Sequence, residues 1–357
     1  MKVLIYPSDM SGCSYYRVLE PAAAACRAGV DASVSYRFPN RLKPLPNGID
    51  KVTGLLEEFD ADVVVFHRPL DYRIADSIKF LRKAGIGVVV DLDDDLLSAD
   101  PSSLFVRLHS PEHNPRENWQ HCIRACKLAD VVTCSTPAIE RRWGFGHGIV
   151  ACNGIPPWVL ELEHVGGGGI GWSGLTHMHG GDLEVVGDGV QRALDATGLS
   201  FTAVGDGVDV QERLGLTRPP KITGWTAAGE HYANIAKLDI GIAPLANTPF
   251  SQARSAIKVL EYAALGIPSV ASPLPEYIEV AKEGLCKIAH LPDEWVLFIS
   301  AAPWSGTPSA NHLREIVRER HTTDTTITTW IDAWELAQAN ALRRLARAQS
   351  VSPGQQT

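Results

Sequence analysis

What most restricts this chain is a repeated alternation of short apolar runs with helix-forming segments. Ala61 to Phe66 is nearly continuous in apolar residues, as strands buried on both faces of a parallel sheet are. A helical stretch from Tyr72 to Ala84 follows it, and then a second run at Gly87 to Val90. The chain opens in the same way, with a strand at Lys2 to Tyr6, the loop PSDMSGCS, and a helix from about Tyr15 to Ala28. Ser14 is its expected N-cap, and Gly29 ends it before a strand at Val30 to Tyr36. RFPNRLKPLPNG, polar and rich in proline, reads as a loop. Beyond the segment DLDDDLL come a helix near Asn118 to Leu128, a strand at Val131 to Cys134 and a weaker one at Ile149 to Cys152. Such alternation predicts a doubly wound α/β domain.

The glycine run Gly166 to Gly169 marks a boundary, and the pattern restarts after it. IGW from Ile170 is a strand, followed by a helix from about Leu183 to Ala196, strands at Phe201 to Val204 and Lys221 to Thr223, and a helix at Glu230 to Lys237. Leu238 to Ser272 then reads strand, loop, helix, turn, strand, with the helix from Ser255 to Ala264 and Gly266 as its stop. Helices at Trp295 to Ser300, Asn311 to Arg320 and Thr329 to Ala348 close the chain. The fold class expected is therefore α/β, with two similar doubly wound domains facing across a cleft; 357 residues give room for both. No apolar stretch is long enough to cross a bilayer, and MKVLIYP enters a strand directly, without a signal peptide. The seven cysteines are scattered and form no CxxC pair, which points to a reduced, cytoplasmic protein. A formal charge of -8 argues against a stable nucleic-acid partner.

Polar residues collect where strands end, which is where open α/β sheets bind ligands. In the first domain the loop SDMSGCSYYR brings Gly12, Tyr16 and Arg17. His67 and Arg68 follow the next strand, and a histidine there suits orienting or deprotonating a hydroxyl. Asp91 ends another strand, with Asp93, Asp94 and Asp95 beyond it. This cluster fits acceptor binding or loop organisation, a divalent cation held by hard oxygen ligands, or plain surface charge. In the second domain GWSGLTHMHGGDL supplies Gly174, His177, His179 and Asp182, without the further ligands that a zinc site needs. Gly205 ends the strand FTAV, and Trp225 follows the next strand, where its ring suits stacking on a base. Arg254 lies beside the first turn of the Ser255 helix, with Lys258 one turn on and Glu261 a turn later on roughly the same side. Two cations followed by a carboxylate suit a nucleoside diphosphate, with the diphosphate first and the ribose hydroxyls after.

On these residues the chain resembles the glycosyltransferases of the GT-B type, close to glycosyltransferase family four. The resemblance rests on IGWSG with the later HGGDL, on FTAVG, on DIGIAPL and above all on FSQARSAIKVLEYAALGIPSVAS, while YYRV and DLDDDLL fit a subgroup. It implies two Rossmann-like domains: residues 1–160 for the acceptor and 165–325 for the nucleotide sugar, with a helix over 326–348 returning to the first domain and a disordered tail at 349–357. It also implies sugar transfer from a nucleoside-diphosphate sugar to an acceptor hydroxyl, with retention, no cofactor and no catalytic metal. Carried over residue by residue, Glu261 holds the ribose, Arg254 and Lys258 meet the diphosphate with Ser255 beside them, and Gly12 approaches the donor. The expected catalytic set is then Arg254, Lys258, His67 and Asp94. Gly12, Gly174, His179, Gly205, Trp225, Ser255 and Glu261 are expected on the donor, and Tyr16, Arg17, Arg68 and Asp93 on the acceptor. Two departures stand out: Ala253 replaces the family's first glutamate, and a histidine-rich loop replaces its arginine–lysine pair. These leave a degenerate nucleotide-sugar-binding module and a sugar-nucleotide epimerase as rival readings.

Overall fold

The computed structural model describes residues 1–10, 12–38, 40–46, 50–56, 60–99, 106, 118–176, 180–302 and 309–350. His177, His179 and the tail from 351 on lie outside the described residues. The chain divides into two compact units. One comprises Met1–Leu97, Arg107–Asn153 and Thr326–Thr357, and the other Ser98–Val106 and Gly154–Thr325.

The first unit is built on β1 (Lys2–Tyr6), β2 (Asp31–Val34), β5 (Val63–His67), β6 (Gly87–Leu92), β7 (Val131–Cys134) and β8 (Gly148–Val150). They form one parallel sheet in the order β2-β1-β5-β6-β7-β8. β5 and β6 are buried at every residue, which is why their sequences show no polar alternation. Strand order reverses between β1 and β5, so the carboxyl ends of these two strands diverge into a crevice. Val3, Ile5, Val18, Val65 and Val131 pack with Trp330, Ala333, Trp334 and Ala337 of the 28-residue helix Thr323–Ser350. Contact is close: a Cβ on Gly87 would lie 2.7 Å from the backbone of Ala337.

Local readings are corrected at several points. RFPNRLKPLPNG is not a plain loop: β3 (Asn40–Pro44) and β4 (Asp50–Leu55) pair as an antiparallel hairpin with an irregularity between Arg41 and Leu42. Of its described residues only Val52 is buried, so the hairpin lacks the apolar alternation that marks a strand. The first helix begins at Gly12 rather than Tyr15, and Ser14 is a helical residue within it that caps nothing. A π-helical turn at Tyr15–Leu19 leads into the α-helix Glu20–Arg27.

In the second unit β9 (Ile170–Leu175), β10 (Phe201–Asp206), β11 (Lys221–Ile222), β12 (Ile240–Ala243), β13 (Ser269–Ala271) and β14 (Lys287–Ile288) form a parallel sheet in the order β11-β10-β9-β12-β13-β14. Its order reverses between β9 and β12. Ile170, Trp172, Phe201, Ile242, Val270 and Trp295 share its core. Gly187, at φ 54°, breaks the expected Leu183 helix into a 3-10 turn, Glu184–Val186, and a helix at Gly189–Thr197. The helix after β12 spans Ile257–Ala264, preceded by a 3-10 turn at Ser251–Ala253, so Ser255 stands before it rather than in it. Among the described residues, no helix is long and apolar enough to cross a membrane.

Candidate functional sites

At the switch point of the first sheet, the ends of β1, β5 and β6 bring Ser8, Asp9, His67, Arg68 and Asp93 together. His67 and Asp93 are buried, and the His67 Nε2 lies 3.2 Å from Asp93 Oδ1. The other ring nitrogen, Nδ1, lies 3.3 Å from Ser8 Oγ and 3.4 Å from Ser14 Oγ. Arg68 has a left-handed backbone (φ 44°), an uncommon conformation for a side chain of its size and one that clusters at functional sites. It pairs with Asp9, reaches Asp93 Oδ1 at 3.4 Å and lies 3.9 Å from Asp94 Oδ2. Burial alone would raise the Asp93 carboxyl, but Arg68 and His67 hold it well below the usual carboxylate range. Tyr16 is half-buried, with its ring edge-on to Tyr15 at 5.3 Å.

Arg17 corrects the sequence reading. It is buried at 1 % exposure, donating from Nε and Nη2 to the two oxygens of Asp91 at 3.0 and 2.6 Å and from Nη1 to Ala151 O and Asn153 Oδ1. Its guanidinium stacks 4.2 Å from the Trp330 ring centroid. Asp91 takes a further bond from Thr133 Oγ1 at 2.6 Å. Arg17 therefore ties the sheet to the last helix. The four acidic residues likewise separate by role: Asp91 belongs to this internal pair, Asp95 accepts from Trp143 and Arg142 at 2.9 Å each, Asp93 touches His67, and half-buried Asp94 stands at the margin.

Among the described residues, one trio has metal-ligand geometry: Cys13, Asp93 and Asp94 place ligand atoms within 4.8 Å of one another. One cation, Arg68, faces both of these carboxylates. Burial and the neighbouring Asp93 push the Cys13 thiol well up.

In the second unit the switch point between β9 and β12 collects the cations. Lys258, in the first turn of its helix, donates to Ser173 O within β9 and lies 5.5 Å over the Trp172 ring. Burial, then the neighbouring Arg254, lowers the Lys258 ammonium to about 8. Asp182, buried at the same place, accepts from Ala246 N at 2.8 Å. Burial raises its carboxyl against the opposing pull of that bond, Arg254 and Lys258. Glu261 is buried one turn beyond Lys258, 3.6 Å from His231 Nε2. Gly174 is required by this packing, since a Cβ there would lie 2.5 Å from the Trp172 ring and 3.0 Å from Lys258 Nζ. Gly205, at φ 114°, passes so close to Gly174 O that no side chain fits. Trp225 follows left-handed Gly224 and leaves its ring 58 % exposed. Ala253 is buried, and half-buried Arg254 and Ser255 follow it.

Thus Arg254, Lys258, Gly174, Gly205 and Glu261 share one sheet end, while His67, Arg68, Asp93 and Asp94 share another, next to the Gly12 segment. The sequence reading had left Ser8, Asp9 and His231 out of both sites. Ser8 and Asp9 were legible as residues just past β1; His231 carried no signal, because only the packing of its helix against Glu261 brings it in.

No protein-family model matches the chain, and no curated protein sequence does. Solved structures do. HepE of Anabaena in complex with UDP superposes with a TM-score of 0.60 at 17% identity, covering 93% of this chain and 99% of that one. The same protein with UDP-glucose gives 0.58 at 15% identity over 95% and 99%. AviGT4, a glycosyltransferase involved in avilamycin A biosynthesis, gives 0.59 at 15% identity over 95% and 98%. Likeness at such identities is likeness of fold: the chain has the GT-B-type architecture, α/β, with two Rossmann-like parallel-sheet units.

Proposed function

We propose that the chain is a glycosyltransferase that moves a sugar from a nucleoside-diphosphate sugar, with uridine as the base, to an acceptor hydroxyl. One observation carries the reading: two cations, Arg254 and Lys258, gather at the switch point of the second sheet, with Lys258 so placed that burial and Arg254 disfavour its own charge. An anion there relieves that cost. The fold neighbours' complexes with UDP and UDP-glucose support a diphosphate as that anion.

In this reading Arg254, Lys258 and Ser255 hold the diphosphate, Glu261 the ribose hydroxyls and Trp225 the base, with Gly174, Gly205 and Gly12 leaving backbone open to the donor. His179 belongs to the same set by its position in the sequence. Arg68, Asp93, Asp94 and Tyr16 serve the acceptor, and His67 meets its hydroxyl. The acceptor oxygen bonds to the anomeric carbon as the bond from that carbon to the diphosphate oxygen breaks, its electron pair leaving on the diphosphate. Arg254 and Lys258 stabilise the charge that develops there, the role a metal has in other transferases. Retention at the anomeric carbon and independence from metal belong to this reading, as does residence in the cytoplasm, which the seven free thiols support.

The test is calorimetric binding of UDP in EDTA to the wild type and to Arg254→Ala/Lys258→Met, followed by transfer from UDP-glucose to a hydroxyl library, with the product anomer read by proton NMR. Metal-free binding lost in the double variant is expected. Equal binding by both proteins refutes the donor site, and an inverted product refutes retention.

A further inference from the structure

The β3–β4 hairpin stands apart from the parallel sheet of the first unit, and its two faces differ in chemistry. The inner face packs on the helix Tyr72–Lys83: Val52 is buried, Leu42 opposite it is half-buried, and the Asp50 amide donates to Tyr72 Oη at 3.1 Å. Asp50, the one acid of the two strands, is half-buried and falls on this inner side by alternation. Arg41, Lys43 and Lys51 fall on the outer side, and all three are exposed. Lys43 and Lys51 are direct cross-strand partners, and among the described residues neither ammonium group has an ion pair. Like charges set opposite each other weaken a hairpin, and a two-stranded hairpin is marginal to begin with. An anion lying across both lysines removes that repulsion.

Lysines on an exposed strand also deter edge pairing, but that purpose needs no apolar neighbours. Here exposed apolar side chains bracket the cations. Leu45 follows the end of β3 and Leu56 the end of β4, which in an antiparallel pair are opposite ends of the hairpin. Tyr36, 61 % exposed, precedes β3. Cations between leucines and a tyrosine match the boundary of an anionic bilayer, where phosphates meet acyl chains and aromatic rings settle at headgroup depth. A nucleic acid offers the phosphates but no apolar layer to receive two leucines. The net charge of -8 opposes such a contact little, because charges more than about 8 Å away are largely screened at physiological salt.

We propose that the outer face of the β3–β4 hairpin docks the protein on an anionic lipid surface. Arg41, Lys43 and Lys51 meet the headgroup phosphates, and Leu45 and Leu56 enter the upper part of the acyl layer. The attachment is peripheral and reversible, since it uses three cations and two leucines rather than a spanning segment. It does not rest on the transferase reading.

The test is co-sedimentation of the full chain with sucrose-loaded vesicles, either of phosphatidylcholine alone or of phosphatidylcholine mixed with phosphatidylglycerol, at low and at high salt. Binding to the anionic vesicles alone is expected, with release at high salt. Lys43→Ala/Lys51→Ala should bind about thirtyfold more weakly, the weight of two lysines at an anionic surface, and Lys43→Arg/Lys51→Arg should bind like the wild type. Leu45→Ser/Leu56→Ser should bind more weakly with its salt dependence kept. Urea unfolding midpoints of the variants should not fall below that of the wild type, which separates loss of docking from loss of fold. No binding to the anionic vesicles, equal binding to the neutral ones, or a lysine-to-alanine variant that binds like the wild type would overturn the proposal. So would wild-type binding by the leucine variant, or a single-stranded RNA bound more tightly than the anionic vesicles.

Discussion

On the proposed reading, UDP binding at Lys258 is linked to a proton, and the linkage follows from the structure. Its ammonium is lowered to about 8 by burial and by Arg254, against 10.5 for an ordinary lysine. In the free protein this costs about 3 kcal/mol at neutral pH, where the half-buried group is still charged. The sign follows from proton counts. Between about pH 8 and 10.5 the unfolded chain holds the Lys258 proton and the folded one does not, so the free protein gains stability as pH rises through that window. A bound diphosphate restores the lysine to its ordinary range. Binding then takes up roughly half a proton at pH 8 and about 0.9 at pH 9, and affinity falls about fivefold from pH 8 to pH 9. Calorimetric titration of UDP at pH 8 and 9, in buffers of different ionisation enthalpy, counts these protons directly. Lys258→Met should abolish the uptake, weaken UDP binding and raise the stability of the free protein at pH 7. Tight wild-type binding without uptake, or uptake that persists in Lys258→Met, would refute the reasoning.

Three further outcomes are expected. Glu261→Ala should lower UDP affinity about tenfold to a hundredfold, the worth of hydrogen bonds to a charged group, and leave pyrophosphate affinity unchanged; equal loss for both ligands would move Glu261 off the ribose. Arg17→Met leaves Asp91 buried without its cation and should cost about 3–5 kcal/mol in urea unfolding, with the UDP affinity of the folded protein kept; unaltered stability would contradict the internal pairing. Gly174→Ala drives a methyl into the Trp172 ring and toward Lys258 Nζ, and should cost about 1–3 kcal/mol together with a measurable loss of UDP affinity by calorimetry.

The fold class was legible in the sequence because buried parallel strands carry a direct signature: VVVFH and GVVVDL leave no polar face to disguise them. The β3–β4 hairpin left no such mark, since its outward residues are Arg41, Lys43, Lys51 and Thr53 and its inward contribution is small. Strand ends located His67, Arg68, Asp93, Arg254 and Lys258 because the topology of an open sheet gathers its loops at one edge. Which of these groups touch was not legible. Arg17 and Asp91 are 74 residues apart, and nothing local to either tells a buried pair from a ligand contact. Four aspartates within five positions look alike in sequence, yet they end in four different environments because β6 and the turn after it point successive side chains in different directions. The π-helical turn after Gly12 escaped for a related reason: its residues are ordinary helix formers, and only the hydrogen-bond pattern distinguishes it.

The central claim is that the second unit carries a diphosphate-sugar site built from protein cations. Equilibrium binding of UDP-glucose to the full chain, with and without EDTA, in the wild type and in Arg254→Ala/Lys258→Met, addresses it most directly. The prediction is a single site whose affinity ignores EDTA and is lost in the double variant. Binding that needs a divalent ion, or that survives removal of both cations, would contradict it.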